Sequence, residues 1–218
     1  MYFCGKLEVN KKMNFWQLRN QFYDLVCFNV NQVYAWQPDF EKNNLTRWTK
    51  QNLLVKLRNS WYSFPEYLKT PNIQHFVSNK MYTPSYVSLH SALAFYGIIP
   101  EAIVQTTAVS SLKKANFENV FGSFSYQQIL PELMFGYEQK SFLNKQSLIF
   151  ATPEKAILDL LYLYPQYNNE QEITELRFDE EFMQEDLNVA RLNEFTEKFQ
   201  SKILRNRVHL LLKIYDLC

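Results

Sequence analysis

Glycine is scarce in this chain: there are four, Gly5, Gly97, Gly122 and Gly136, and no two are close neighbours. Phosphate-cradling loops need two or three glycines within about six residues, so that the backbone can approach the phosphates. A Walker loop, a dinucleotide-binding fingerprint and a kinase glycine loop are therefore excluded. Cysteine is equally sparse. Cys4, Cys27 and Cys218 are odd in number and lack C-x-x-C spacing, which argues against a disulfide framework and a zinc site and for reduced thiols. The three histidines, His75, His90 and His209, have no second ligand of the usual kinds at i+3 or i+4. The serines in "YVSLHSALA" lack the glycines of a nucleophile elbow. No apolar run approaches the roughly 20 residues that span a bilayer, and "MYFCGKLEVNKK" lacks the order of a secretory signal. The expectation is a soluble, cytoplasmic protein without a cofactor, a metal or a membrane partner. Met13 offers an alternative start, which would make residues 1–12 an N-terminal extension.

What the chain does have is an uneven charge. Residues 1–70 hold ten Lys or Arg against five Asp or Glu, a net +5, whereas the remainder carries a net −4. The basic part is suited to a polyanion. Within it, Phe15, Leu18, Phe22, Leu25 and Val26 recur at helical spacing from Asn14 to about Cys27. Asn29 with Gln32 makes a capping box for a second helix, with Val30, Val33 and Tyr34 on its face and Pro38 as its stop. Asn43 or Asn44 can cap a third, "NLTRWTKQN", whose Leu45 and Trp48 point inward while Thr46, Arg47 and Lys50 point out. "LLVKLRNSWYSFP" then reads as a hairpin turning at Asn59 and Ser60.

Three short helices and a hairpin outline a winged helix-turn-helix over residues 13–70. In such a domain the third helix enters the major groove and the wing follows the phosphates. Lys42, Asn44, Thr46, Arg47 and Lys50 on the third helix and its approach, with Lys56 and Arg58 on the wing, are the expected DNA-binding residues. Arg47 is the candidate for base-edge contact.

Residues 65–84, with three prolines, read as a connector containing one short helix. Residues 71–218 then form a second domain. Ser85 is expected to cap a helix carrying Val87, Leu89, Ala92, Leu93 and Tyr96 and ending at Gly97. "AIVQTTAV", "FENVFGSFSY" and "SLIFAT" have strand composition. A long C-terminal helical region buries Leu187, Leu192, Phe195, Phe199, Ile203, Val208, Leu211, Leu212 and Tyr215. The fold class is α+β: the winged domain, followed by a mixed α/β domain with a small sheet and C-terminal helices.

"ATPEKAILDLL", residues 151–161, concentrates charge in an apolar neighbourhood. Glu154, Lys155 and Asp159 can be read as the centre of an enzyme acting on nucleic acid. They also fit a helix start: Thr152 caps, Pro153 fills the first position, Glu154 meets the positive helix end, and Lys155 with Asp159 forms a modest i,i+4 pair. The acidic run Asp179, Glu180, Glu181, Glu185, Asp186 reads as a solvated face rather than a cation site.

"PSYVSLHSALAFYGIIPE", followed by "VFGSFSYQQI" and then "FATPEKAILDLLYL", resembles the AbiEi antitoxins of type IV toxin-antitoxin and abortive-infection systems, from about residue 15 to the C terminus. The resemblance implies an N-terminal winged helix that binds operator DNA and represses its own operon. It also implies a C-terminal domain, 71–218, that counteracts a nucleotidyltransferase toxin without a stable complex. Within that domain Glu154 and Lys155, with the exposed residues beside them, are the expected antitoxic surface. One departure is that the wing turn has Ser60 and Trp61 before Tyr62 where the family has a glycine, so Asn59 is expected to take the positive φ. A regulator whose second domain senses a ligand or dimerises, with no toxin, is the alternative.

Overall fold

The computed structural model describes residues 13–101 and 103–217. The expected extension, residues 1–12, lies outside the described residues, as do Gly5, Cys4 and Cys218. The chain divides into two compact units between Lys69 and Thr70.

In the first unit, Asn14 and Gln17 form a capping box that starts helix α1, Phe15–Phe22. The expected helix to Cys27 is cut short. A 3-10 turn, Tyr23–Leu25, leads to Val26 at φ +66°, and strand β1, Cys27–Asn29, follows. Ser63 stabilises this corner by donating its hydroxyl hydrogen to the Val26 carbonyl at 2.7 Å. Asn29 and Gln32 make the anticipated capping box of α2, Val30–Trp36. Helix α3, Asn43–Lys50, already includes both expected caps: Lys42, one residue before Asn43 and two before Asn44, holds the cap position and makes no side-chain cap bond.

Strands β2, Val55–Arg58, and β3, Trp61–Ser63, form the hairpin, and β1 pairs with the other edge of β3, giving the antiparallel order β1-β3-β2. A register shift between Lys56 and Arg58 marks a bulge. Ser60, not Asn59, carries the positive φ at the turn, +65°. Its carbonyl accepts the Val30 N–H at 2.8 Å, which fixes that residue rather than its neighbour. Leu18, Phe28, Leu45, Leu54 and Phe64 are buried in the core. Phe28 and Phe64, with ring centroids 5.6 Å apart, each contribute about 2–3 kcal/mol by leaving water.

The second unit opens, after a 3-10 turn at Pro65–Lys69 that closes the first, with α4, Ile73–Met81. Ser85 is not a helix cap: it begins strand β4, Ser85–Val87, and helix α5 is Leu89–Phe95, ended by Tyr96 and by Gly97 at φ +74°. Strand β5 is Gln105–Ser110. "FENVFGSFSY" falls within a hairpin of β6, Ala115–Asn119, and β7, Gly122–Gln128. Strand β8, Tyr137–Ser141, precedes β9, Ser147–Ala151.

The sheet is larger than expected, six-stranded, in the order β6-β7-β5-β4-β9-β8, with β4/β9 and β5/β7 parallel and the other pairs antiparallel. Helix α6, Pro153–Leu163, starts at Thr152, and every residue from Glu154 to Leu161 is buried. Helix α7, Glu170–Thr174, and a π turn, Phe182–Asp186, lead to α8, Val189–Lys198, and α9, Lys202–Ile214. The C-terminal region is therefore two helices, the second capped by Ser201, and Ile203 is 59% exposed rather than buried. Among the described residues no helix is long and apolar enough to cross a membrane.

Candidate nucleic-acid interface and a buried ionic centre

Helix α3 owes its orientation to two residues. Leu45 and Trp48 are buried, and the Trp48 ring meets Phe15 at 5.7 Å and Phe40 at 6.0 Å. With that stripe inward, Thr46, Arg47 and Lys50 are exposed on the helix and Lys42 is exposed ahead of it. On the hairpin Lys56 is exposed and Arg58 half-buried. Asn44 departs from expectation. It is 8% exposed, one position from Leu45 on the inward side of the first turn, so it is not placed to read bases. Arg19, by contrast, is engaged within its own unit: it pairs with Glu66 at 3.0 Å and lies 4.1 Å over the Tyr23 ring.

In the second unit the charges of "ATPEKAILDLL" lie inside the protein. The Thr152 hydroxyl accepts the Lys155 N–H, and Pro153 occupies the first turn. The Lys155 ammonium donates to Asp159 Oδ1 and, at 3.0 Å, to the Tyr86 hydroxyl. Tyr86 in turn donates to Asp159 Oδ2 at 2.9 Å, and Ser88 donates to the same oxygen at 2.8 Å. Both members of the ion pair are 0% exposed. Three rings enclose the ammonium: Phe199 at 4.8 Å, Phe135 at 5.0 Å and Tyr86 at 5.4 Å.

Burial lowers the Lys155 pKa below the ordinary lysine value, against an opposing pull from Asp159. Burial, reinforced by the Asp159 charge, pushes the Tyr86 phenol well above its usual range. Glu154 is also enclosed, 2% exposed; its carboxylate accepts the Asn188 N–H at 3.3 Å and lies 3.6 Å from Arg191. The expected antitoxic surface at Glu154 and Lys155 is thereby corrected, because neither side chain reaches solvent. The pair expected as a modest i,i+4 contact is instead fully buried and, through Tyr86, ties α6 to β4.

Sequence reasoning missed three contributors. Tyr86 and Ser88 sit in what reads locally as a helix start. Arg207, 8% exposed, donates to the Leu161 carbonyl at 2.6 Å and the Pro165 carbonyl at 3.1 Å, capping the far end of α6. An arginine at an apolar helical position is the signal that pointed to it. The acidic run is exposed, and among the described residues no group of three His, Cys, Asp or Glu side chains converges as a metal would need. His90 is half-buried against Tyr164, and burial lowers its pKa. No protein-family model matches the chain, and no curated protein matches it at a significant level.

Proposed function

We propose that the protein is a DNA-binding autorepressor and antitoxin, with the first unit acting as a winged helix-turn-helix on operator DNA. One observation carries the DNA reading. The face of α3 that Leu45 and Trp48 leave outward bears Thr46, Arg47 and Lys50, with Lys42 before it and Lys56 and Arg58 on the hairpin that follows. The element order of helix, strand, helix, helix and hairpin, with a three-stranded antiparallel sheet, supports the same reading. Arg47 then addresses a base edge, and Lys42, Lys50, Lys56 and Arg58 the phosphates.

The antitoxin half of the proposal rests on the resemblance of residues 84–101 and 150–163 to AbiEi proteins. The partner is a nucleotidyltransferase toxin opposed without a stable complex. A gel-shift titration with the DNA upstream of the gene tests the first half. Arg47→Ala is expected to weaken binding by about 1–3 kcal/mol and relax sequence preference, whereas Lys50→Ala should reduce the salt slope by about one without changing preference. Unchanged shifts for both variants would sink the DNA reading. Co-expression with the product of the adjacent gene tests the second half, which fails if growth is equally arrested with and without this protein.

A further inference from the structure

Two residues that line one cleft each carry a buried polar atom without a partner. Asn79, in the last turn of α4, and Ser85, at the start of β4, are 7% and 5% exposed. The Asn79 Nδ2 and the Ser85 Oγ make no hydrogen bond among the described residues. Proteins rarely leave such groups unpaired, because burial strips their water and returns nothing. Both side chains line a cleft of about 260 Å³, together with Lys80, Tyr86, Tyr137, Gln139 and Ile149.

The cleft has a structural origin. Strands β4 and β9 are paired through Val87 and Phe150 alone, and the residues that precede this bridge, Ser85 on one strand and Ser147 and Ile149 on the other, line the opening. Asn79 fills part of the gap: its Oδ1 accepts the Ile149 N–H, in place of a strand partner. That bond fixes the amide's orientation. With Oδ1 committed, Nδ2 is left as the amide's unpaired donor, on a residue that lines the cleft together with Ser85.

Among the described residues the lining contains one ammonium, Lys80, and no carboxylate. Tyr137, 44% exposed and stacked on Tyr86 at 5.1 Å, supplies a flat apolar wall. A volume of 260 Å³ is far more than one water needs, about 30 Å³, and approaches the lower end of small-ligand pockets. We infer that this cleft binds a small oxyanion, a carboxylate or phosphate ester on a flat apolar body. Asn79 Nδ2 and the Ser85 hydroxyl donate to its oxygens, Lys80 neutralises its charge at the mouth, and Tyr137 carries its ring. The site is independent of the DNA and antitoxin readings.

Benzoate and phenyl phosphate are the probes, each titrated into the full-length protein and followed by NMR line-shape and chemical-shift changes, with benzyl alcohol as the neutral control. At least one anion should bind saturably and benzyl alcohol should not, the preferred anion telling carboxylate from phosphate. Ser85→Ala is expected to weaken that binding roughly tenfold, the loss of one charge-assisted hydrogen bond. The substitution Lys80→Gln, at a half-buried lysine outside the buried pair, should also weaken it and reduce its dependence on salt. The inference is overturned if neither anion saturates at millimolar concentration, if benzyl alcohol binds as well as the anions, or if Lys80→Gln and a folded Ser85→Ala bind like the parent.

Discussion

Lys155→Met separates a surface ion pair from a buried one. An exposed i,i+4 pair is worth about 0.3–0.5 kcal/mol, whereas removing one partner of a buried pair costs about 3–5 kcal/mol, because the remaining charge is left enclosed. Asp159 would keep two donors, the Tyr86 and Ser88 hydroxyls, so the lower figure of about 3 kcal/mol applies. Methionine fills the volume between Phe135 and Phe199 and adds no cavity. For a unit of this size, that loss is a fall in melting temperature of about 6–12 °C. Asp159→Leu orphans three donors at once and should cost about 4–5 kcal/mol. The double variant Lys155→Met/Asp159→Leu leaves no unpaired charge, and its cost should fall short of the sum of the singles by about 2–3 kcal/mol. Urea unfolding followed by far-ultraviolet circular dichroism reads all three. A Lys155→Met penalty below about 1 kcal/mol, or strict additivity in the cycle, would refute the reasoning.

Burial holds the His75 imidazole down to about 4, below its ordinary 6.5. Between those values the unfolded chain binds a proton that the folded chain does not, so stability falls as pH drops through that window, by at most about 3 kcal/mol. The difference in unfolding free energy between parent and His75→Gln should therefore vary across pH 4–6.5 and level off above it, and a constant difference would remove His75 from the acid response. Gly136 sits at φ +67°, where an added Cβ would lie 2.7 Å from Phe195 Cε2 and 3.1 Å from Lys155 Cβ. Gly136→Ala should cost about 2–4 kcal/mol in the same unfolding assay, from strain and overpacking together, and a neutral outcome would mean that the Phe195 ring swings clear.

Local chemistry was legible where the determinants are neighbours in sequence. The Asn29–Gln32 capping box and the Thr152–Pro153 start need only three or four consecutive residues. Strands β1 and β4 were not legible, because each has three residues and is held by distant partners, such as Ser63 for Cys27 and Val109 for Tyr86. Strand β8, "YEQKS", is mostly exposed at the sheet edge and carries little apolar signal. Within the site, the spacing of Lys155 and Asp159 is that of any surface pair. The distinguishing sign was their setting, a helix apolar on nearly all sides, which is the pattern of a buried helix. Asn44 was misassigned because one helical position, 100° of rotation, separates a solvent-facing residue from a buried one.

The tie at Asp159 also bears on how the chain is made. Its hydroxyl partners on the other side, Tyr86 and Ser88, are synthesised 73 and 71 residues earlier. On the ribosome, the first unit has all its residues once Lys69 has emerged, whereas β4 must wait with one edge open until β9 and α6 arrive. During translation at about 5–20 residues per second, that interval lasts several seconds. An open strand edge is then available to other chains, so the second unit, not the first, is where truncation or slow synthesis should lead to aggregation.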